Sequence, residues 1–258
     1  MNLNFNKKSL IVSKNKASAN WEKHNFIFSR FSNILFEKVN EINSQFKNIL
    51  LITSDAFECY NQLSKLNFEN FIIISQYKKL LNKISPKKNN VFKVLSSFEK
   101  ISLETNKYDL IVCNFCFHKI NDKTKYIKNL YRLLEKNGVL FCNFFGENSL
   151  IELRNSLMLT DQKVFNGSYL RTSPNTKMID AANLFISQGF EELVSEVVNY
   201  KIQYQNIYSL LKDIKMMGEN NSLKKKFKAL MSKNYLDILN KTYLSEYSCK
   251  NSLLNATC

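Results

Sequence analysis

Short apolar runs recur along the first part of the chain. Each run leads into polar residues, and the runs lie at 48–53, 71–75, 91–96, 108–118 and 139–145. The segments between and before them carry apolar residues at helical spacing, at 26–47, 56–67, 77–84 and 122–136. Buried runs that alternate with helices predict a parallel sheet built from βαβ units. The predicted fold class is therefore α/β, a doubly wound, mostly parallel Rossmann-like sheet.

The spacing changes after Gly146. Helical spacing returns at 147–160, 176–188, 206–217 and 223–245, whereas 193–204 alternate as in one or two strands. We therefore predict a helical insertion after the fifth strand, with 146–190 as a lid or partner segment. A basic segment, 1–25, precedes a single domain, 26–258, because no linker rich in Pro, Gly or Ser divides the rest.

The formal charge of +15 raises nucleic acid or an anionic membrane as a partner. Lysine supplies most of this charge, since the arginines are only Arg30, Arg132, Arg154 and Arg171. Recognition of bases and phosphates favours the guanidinium fork, so a nucleic-acid partner is disfavoured. The lysine run at 224–228 is interpreted as a solvated helix face. No apolar run approaches the roughly 20 residues that span a bilayer, which predicts a soluble protein without a transmembrane segment.

Composition also bears on the compartment. Asn, Ile, Phe and Lys are abundant and Gly, Pro and Arg are scarce, which is typical of an AT-rich genome. Six cysteines without regular spacing favour a reducing compartment. We expect a bacterial cytoplasmic protein; the alternative is the mitochondrial matrix, because the N-terminus is basic and lacks acids.

Cys113 and Cys116 form a C-x-x-C motif on the fourth predicted strand. Residues three apart on a strand face opposite sides, so both cannot bind one ion without a bulge. No second cysteine pair follows. We interpret them as buried core cysteines, and no metal site is predicted.

Candidate chemistry lies at the carboxyl ends of the strands, where doubly wound sheets bind ligands. Polar residues stand at these ends, and the predicted ligand site comprises Thr53, Ser54, Asp55, Gln76, Asn114 and His118. His118 has two open interpretations, an acid–base or ligand-contacting residue and a satisfied surface histidine. Asn121 and Asp122 follow it and are expected to cap the next helix.

Two stretches resemble a large enzyme superfamily. YDLIVCNFCFHKINDK at 108–123 and LYRLLEKNGVLFCNFFG at 130–146, after a β-α-β start, follow the layout of class I S-adenosylmethionine (SAM) methyltransferases. Asp109 matches the aspartate at the start of that superfamily's fourth strand. Gly138 matches the glycine that precedes its fifth strand.

Later stretches resemble a narrower family, that of the mitochondrial complex I assembly factor, a protein-arginine hydroxylase with a methyltransferase fold, and its alphaproteobacterial relatives. These stretches are FFGENSLIELRNSL at 144–157, TSPNTKMIDAANLFISQGF at 172–190 and MMGENN at 216–221. The resemblance implies SAM as cofactor and a NADH dehydrogenase subunit as protein substrate or partner. For Gly146, Glu152 and Arg154 it leaves two interpretations open, a lid or partner-facing surface over the crevice and an exposed helix pair with ordinary packing.

Two further expectations concern Arg154 and the segment 218–220. Arginine is rare in this chain, which favours a bidentate contact by Arg154. Gly218-Glu219-Asn220 is expected to end a helix, and its match to the family adds a functional role. If the chain is active, the resemblance implies a SAM-dependent methyltransferase or a methyltransferase-fold protein hydroxylase.

The chain departs from the family where SAM would bind. The family's first strand ends in D-x-G-x-G-x-G, but this chain has Leu51 for the acid and Thr53, Asp55 and Phe57 for the glycines. Gln76 stands in place of the ribose-binding acid. Two hypotheses therefore stay open, a SAM-dependent enzyme with an unusual pocket and a non-catalytic binding or assembly protein.

The chain departs from the family pattern at two further places. Ser96-Ser97 stand where the family has an acid near the adenine. SLLNATC at 252–258 stands where relatives begin a last strand beside the fifth. Part of the sheet is therefore expected to be unpaired or filled otherwise.

Overall fold

Five strands form one parallel sheet through the centre of the protein. The computed structural model describes residues 4–42, 45–225, 231–248 and 253–258. The strands are β1 (Asn48–Thr53), β2 (Asn70–Ser75), β3 (Val91–Leu95), β4 (Tyr108–Asn114) and β5 (Leu134–Asn143). Their spatial order is β3-β2-β1-β4-β5, every neighbouring pair is parallel, and the order reverses between β1 and β4. The predicted doubly wound α/β fold is confirmed.

Strand β1 shows how the sheet divides the core in two. Ile49 and Leu51 face one apolar cluster, and Leu50 and Ile52 face the other, because successive side chains of a strand alternate. All four side chains are fully buried. Both faces of the sheet are therefore covered, as expected of parallel strands.

Helices cover these faces and extend the fold at both ends. Those before or between strands are α1 (Lys7–Ala17), α2 (Trp21–His24), α3 (Phe26–Glu41), α4 (Glu58–Leu63), α5 (Lys78–Lys83) and α6 (Lys123–Leu133). Those after β5 are α7 (Ile151–Phe165), α8 (Met178–Ser187), α9 (Ile207–Met216) and α10 (Lys233–Tyr247). The helical insertion predicted after the fifth strand is confirmed by α7 and α8. The lysine run at 224–228 falls partly outside the described residues.

Helix α6 and strand β5 meet earlier than predicted. The helix ends at Leu133 and the strand begins at Leu134, so Asn137-Gly138 lies inside the strand rather than at the end of a helix. Asn137 has a φ of 65°, and the pairing of β5 with β4 shifts register between Leu134 and Val139. The helical spacing at 122–136, followed by Asn137-Gly138, predicts a helix that ends at this pair; that prediction was wrong, because the positive φ of Asn137 belongs to a bulge in the strand.

The alternating segment 193–204 is a strand only at its end. Strand β6 (Lys201–Tyr204) pairs antiparallel with β7 (Leu254–Thr257), in a two-stranded sheet apart from the central one. Residues 193–200 form no strand, and Val194 is 91% exposed. Alternation predicts a strand only where a neighbouring strand accepts its backbone bonds. Among the described residues, no strand pairs with the outer side of β5.

Two predicted helix boundaries are confirmed. Asp122 accepts a hydrogen bond from the Lys125 amide at 3.0 Å and caps α6. Gly218 follows the end of α9 with a φ of 70°, in the left-handed region that favours glycine. A Cβ at Gly218 would lie 2.9–3.2 Å from side-chain and backbone atoms of Lys14. Gly218 therefore lets the N-terminal helix α1 approach the end of α9 closely.

Replacing Gly218 with alanine is expected to destabilise the protein by about 2 kcal/mol or more, because the new Cβ adds left-handed strain and a clash with the Lys14 backbone. The measurement is urea unfolding followed by circular dichroism. Gly146→Ala is the matched control, since no atom lies within 4 Å of a Cβ at that position. Equal loss of stability in the two variants would contradict the close approach of α1.

Candidate functional site

The strand ends bring three of the predicted site residues together around Asp55. Its Oδ1 accepts a hydrogen bond from the Thr53 hydroxyl at 2.5 Å. Its Oδ2 accepts from the Asn114 side-chain amide and from the Cys59 backbone amide, both at 3.0 Å. Thr53, Asp55 and Asn114 are each fully buried. The carboxylate is therefore directed into the loop that follows β1.

Burial sets the charge state of Asp55. Loss of solvent, and after it the nearby Glu58 carboxylate, raise its pKa from the ordinary 3.8 to about 7. The hydrogen bonds from Thr53 and Cys59 and the charge of Lys14 act in the opposite direction. Asp55 is therefore a carboxyl group that titrates near neutral pH.

Glu58 holds the same loop from its other side, and the sequence had not singled it out. Its Oε2 accepts hydrogen bonds from the backbone amides of Ala56 and Phe57, both at 3.1 Å. Its Oε1 accepts from the Trp21 indole and the Asn25 side-chain amide, both at 2.7 Å. An acid at the start of a helix was the only sequence signal for Glu58, and that signal could not identify Trp21 or Asn25 as partners.

Ser54 and Gln76 are also engaged within the chain. The Ser54 hydroxyl donates to the Phe115 carbonyl at 2.7 Å, and its amide donates to the Asn114 carbonyl at 3.1 Å. These bonds join the ends of β1 and β4. The Gln76 amide donates to the Tyr77 hydroxyl at 3.0 Å. Gln76 is partly buried, so it remains at the edge of the crevice.

His118 lies on the turn that follows β4, with its ring edge-on to Phe145 at 5.1 Å between centroids. Its Nε2 is 3.5 Å from Glu219 Oε2, and its buried Nδ1 has no hydrogen-bond partner among the described residues. Burial lowers the pKa of the imidazole, although Glu219 partly offsets this. The surface interpretation was wrong, because the residue is only 8% exposed.

The three residues expected to face a partner lie at the start of the insertion, in different surroundings. Gly146 forms an isolated bridge with Thr176 and has open space around it. Glu152 is buried and accepts hydrogen bonds from the backbone amide and hydroxyl of Thr257. Glu152 is therefore engaged within the chain, because the last strand supplies donors that the sequence could not place beside it.

Arg154 forms a single contact where two were expected. Its Nη2 donates to the Glu147 backbone carbonyl, and the bidentate contact is not made within the described chain. Its Nε is buried and lacks a hydrogen-bond partner there. Burial lowers the pKa of the guanidinium. The residue as a whole is only partly buried, so part of the side chain other than Nε remains open to solvent.

The residues at the strand ends can be tested against SAM, the cofactor that the family resemblance implies. A glycine-rich loop leaves backbone amides open to an anionic ligand. Here the amides of Ala56 and Phe57 already bind the Glu58 carboxylate. Asp55 fills the interior of the loop, and Gln76 stands at the ribose position. These residues do not fit the cofactor as the family binds it.

The cysteines of the C-x-x-C motif lie in the core, as predicted. Cys113 and Cys116 are at most 1% exposed. Cys116 Sγ lies 3.2 Å from the Asn114 carbonyl, and Cys113 Sγ lies 3.0 Å from the Tyr126 hydroxyl. Among the described residues, no group of three or more His, Cys, Asp or Glu side chains could hold a metal ion.

A groove of about 770 Å³ lies elsewhere, between residues 98–102 and helix α6. None of the predicted site residues lines it. Its walls include the exposed Tyr131 and four basic side chains, Lys100, Lys125, Lys128 and Arg132. This groove and the strand-end chemistry therefore do not coincide.

Comparisons with known proteins agree with the methyltransferase fold, and they also identify a smaller group of related sequences. A methyltransferase-domain family matches residues 60–142, beginning just after the β1 loop. The mitochondrial arginine-hydroxylase NDUFAF5 of Dictyostelium discoideum is 33% identical over 56% of this chain and 33% of its own length. RP459 of Rickettsia prowazekii, which carries a methyltransferase assignment, is 28% identical over 63% of this chain and 72% of its own.

A solved structure extends the comparison to three dimensions. BH2331 of Bacillus halodurans, which also carries a methyltransferase assignment, matches with a TM-score of 0.58 and 11% identity. The match covers 86% of this chain and 94% of BH2331, and it establishes the fold alone. In the part of the chain that the structure describes, no helix combines the length and apolarity needed to cross a membrane.

Asp55→Asn is expected to reduce the dependence of stability on pH. Between pH 4 and 7 the unfolded chain loses the Asp55 proton and the folded chain keeps it, so this group's contribution to stability falls as the pH rises. The wild type should lose about 3 kcal/mol more than the variant across this window. Urea unfolding at several pH values measures the difference. Asp180→Asn, at an exposed position, should behave as the wild type, and the same slope in both variants would contradict the assignment.

Proposed function

We propose that this chain, which belongs to the class I methyltransferase superfamily and has relatives among the NDUFAF5 arginine hydroxylases, is a non-catalytic assembly factor that binds a NADH dehydrogenase subunit. The fold and the family-like segments after β5 support the binding of a protein partner. The residues around the β1 loop argue against methyl transfer. Its place of action is a bacterial cytoplasm, with the mitochondrial matrix as the alternative.

One observation carries this proposal: a side chain of the protein itself occupies the loop that would bind SAM. The Glu58 carboxylate accepts the Ala56 and Phe57 amides at 3.1 Å, in the way that a bound carboxylate would. Displacing it would leave the Trp21 indole and the Asn25 amide without their acceptor. Leaving such buried donors unsatisfied costs about 1–3 kcal/mol each. SAM would therefore compete with a contact that already stabilises the fold.

The surface beyond β5 supports the partner half of the proposal. Ile179 and Ile186, seven residues apart on α8, are 63% and 55% exposed. Residues at this separation share one helix face, which gives α8 an apolar stripe. Arg154 lies on α7 in the same insertion, with its Nε unpaired among the described residues. An apolar stripe and a partly exposed arginine are frequent in protein interfaces.

His118 favours a second candidate function. Its unpaired Nδ1 lies at the end of β4, where a family member would place substrate and cofactor. In that case the chain would be a SAM-dependent methyltransferase or a methyltransferase-fold protein hydroxylase, with His118 as an acid–base group.

Calorimetric titration with SAM and with S-adenosylhomocysteine separates the two functions. We expect no detectable binding at 1 mM ligand, a dissociation constant weaker than about 1 mM. The reason is that two carboxylates of the family pattern are absent and the loop amides are occupied, each loss being worth about 1.5–3 kcal/mol. Circular dichroism of the same sample establishes that the protein is folded. Micromolar binding that disappears in His118→Ala would overturn the non-catalytic proposal.

Arg154→Ala is expected to reduce the amount of NADH dehydrogenase subunit that co-purifies with the chain by tenfold or more, since truncating an interface charge costs about 2–5 kcal/mol. Quantitative mass spectrometry of the purified complex measures this. Arg154→Lys should also weaken the complex, because lysine lacks the planar fork. Arg132→Ala, on the exposed side of α6, is the matched control. Undiminished co-purification of Arg154→Ala would show that Arg154 does not bind the partner.

A further inference from the structure

The groove between residues 98–102 and helix α6 is a second candidate site, and we call it the basic groove. Its volume of about 770 Å³ lies within the range of about 300–1,000 Å³ that is usual for small-ligand sites. The most deeply buried of its lining residues are aromatic or apolar, since Phe98, Ile101 and Tyr126 are at most 4% exposed. The basic groove therefore has an apolar base and is separate from the strand ends.

Hydrogen bonds hold the two walls of the basic groove together. The Asn129 side-chain amide, in the middle of α6, donates to the Ile101 carbonyl at 3.1 Å. At the end of the helix, the Asn106 backbone amide donates to the Arg132 carbonyl at 3.0 Å. The walls are thus fixed to each other by the chain itself. The basic groove is a preformed feature, as small-molecule sites usually are.

The rim of the basic groove carries four exposed cations: Lys100, Lys125, Lys128 and Arg132. The last three lie three and four residues apart on α6, so they share one face of the helix. At 1.5 Å per residue they extend over about 10 Å. Lys100 belongs to the opposite wall. Within the described part of the chain, none of the four forms an ion pair with an acidic side chain.

The acid in the basic groove does not compensate these charges. Among the described residues that line it, Glu99 is the only acid. Its Oε2 lies 2.7 Å from the Nζ of Lys7, which is not a lining residue, and its Oε1 accepts the Asn121 backbone amide at 3.1 Å. Glu99 therefore already has its own cation. Four positive charges around one concavity attract a ligand that carries several negative charges.

We propose that the basic groove binds a small molecule with two phosphate groups, with Lys100, Lys125, Lys128 and Arg132 as its cationic partners. One phosphate monoester carries about 1.5–2 negative charges at pH 7, so two of them match four cations, whereas a carboxylate compensates one. Lysine binds phosphate as a point charge, and arginine binds it through a planar fork. Arg132 Nη2 donates to Asn129 Oδ1 at 2.9 Å, which orients that fork at the rim.

A nucleic acid suits the basic groove less well. Its row of cations along α6 is only about 10 Å long. Proteins that bind single strands stack successive bases on several exposed aromatic rings. Among the described residues that line the basic groove, Tyr131 is the only exposed aromatic residue. The site is also independent of the proposed absence of methyl transfer, because no strand-end residue lines it.

Calorimetric titration with sodium pyrophosphate and with sodium orthophosphate, at pH 7 and about 0.15 M ionic strength, tests the site. At this ionic strength charges more than about 8 Å from the ligand are largely screened. The wild type should bind one pyrophosphate, about tenfold or more tightly than orthophosphate, because the second phosphate group engages further cations. Absence of pyrophosphate binding, or equal affinity for the two anions, would overturn the proposal.

Two matched double variants separate the basic groove from the general charge of the chain. Lys125→Gln with Lys128→Gln should weaken pyrophosphate binding by about tenfold or more, since two charged contacts are lost. Lys212→Gln with Lys215→Gln removes two exposed lysines at the same spacing on α9, outside the basic groove, and should change the affinity by less than about twofold. Circular dichroism establishes that both variants are folded. Equal weakening in the two would sink the proposed site.

Two further probes distinguish the other possible occupants. Hexaglutamate represents an acidic protein segment and hexathymidylate represents a nucleic acid, and both should bind more weakly than pyrophosphate. Tighter binding of either probe, lost only when Lys125 and Lys128 are replaced, would overturn the small-molecule assignment. Arg132→Ala should weaken pyrophosphate binding and leave the co-purified protein partner in place. Loss of that partner in Arg132→Ala would identify the basic groove as a protein interface instead.

Discussion

A single buried carboxylate determines how the strand ends are closed. Glu58 is 6% exposed, and a carboxylate at that depth is tolerated only when hydrogen bonds replace its water. It accepts four, from the Trp21 indole, the Asn25 side chain and the amides of Ala56 and Phe57. Satisfying Glu58 therefore requires α2 and the residue that follows it to lie against the β1 loop. The N-terminal helices are positioned over the crevice as a result.

This closure explains how a methyltransferase fold can persist without the usual loop. A glycine-rich loop keeps its amides available to a ligand, whereas this loop binds them to its own side chain. The sheet does not need the ligand, because Leu50 and Ile52 on one face and Ile49 and Leu51 on the other are buried among apolar residues. The packing that holds this fold together is thus separate from the residues that would bind the cofactor.

The insertion after β5 has its own buried polar contacts. Asp161 of α7 forms an ion pair with Arg171 at 2.6 Å, which joins α7 to the loop before α8. Asp161 also accepts a hydrogen bond from the Tyr235 hydroxyl at 2.8 Å, which joins α7 to α10. Glu152 binds the backbone amide of Thr257 at 3.0 Å and so joins α7 to β7. Such contacts hold the surface around Arg154 in one arrangement, and a preorganised surface loses less entropy when a partner binds.

The sequence by itself determined the parallel sheet, the two helix boundaries at Asp122 and Gly218 and the position of Asp55 at the end of β1. Those features depend on periodicity and on single-residue backbone preferences, which are local. The tertiary structure alone decided that β6 pairs with β7, that His118 is buried beside Glu219, and that Glu58 occupies the loop. Each of these depends on groups brought together across the sequence: 101 residues separate His118 from Glu219, and Glu58, although it binds amides one and two residues away, is held by Trp21 and Asn25, 37 and 33 residues before it. Local patterns carry no information about which distant group will satisfy a buried charge.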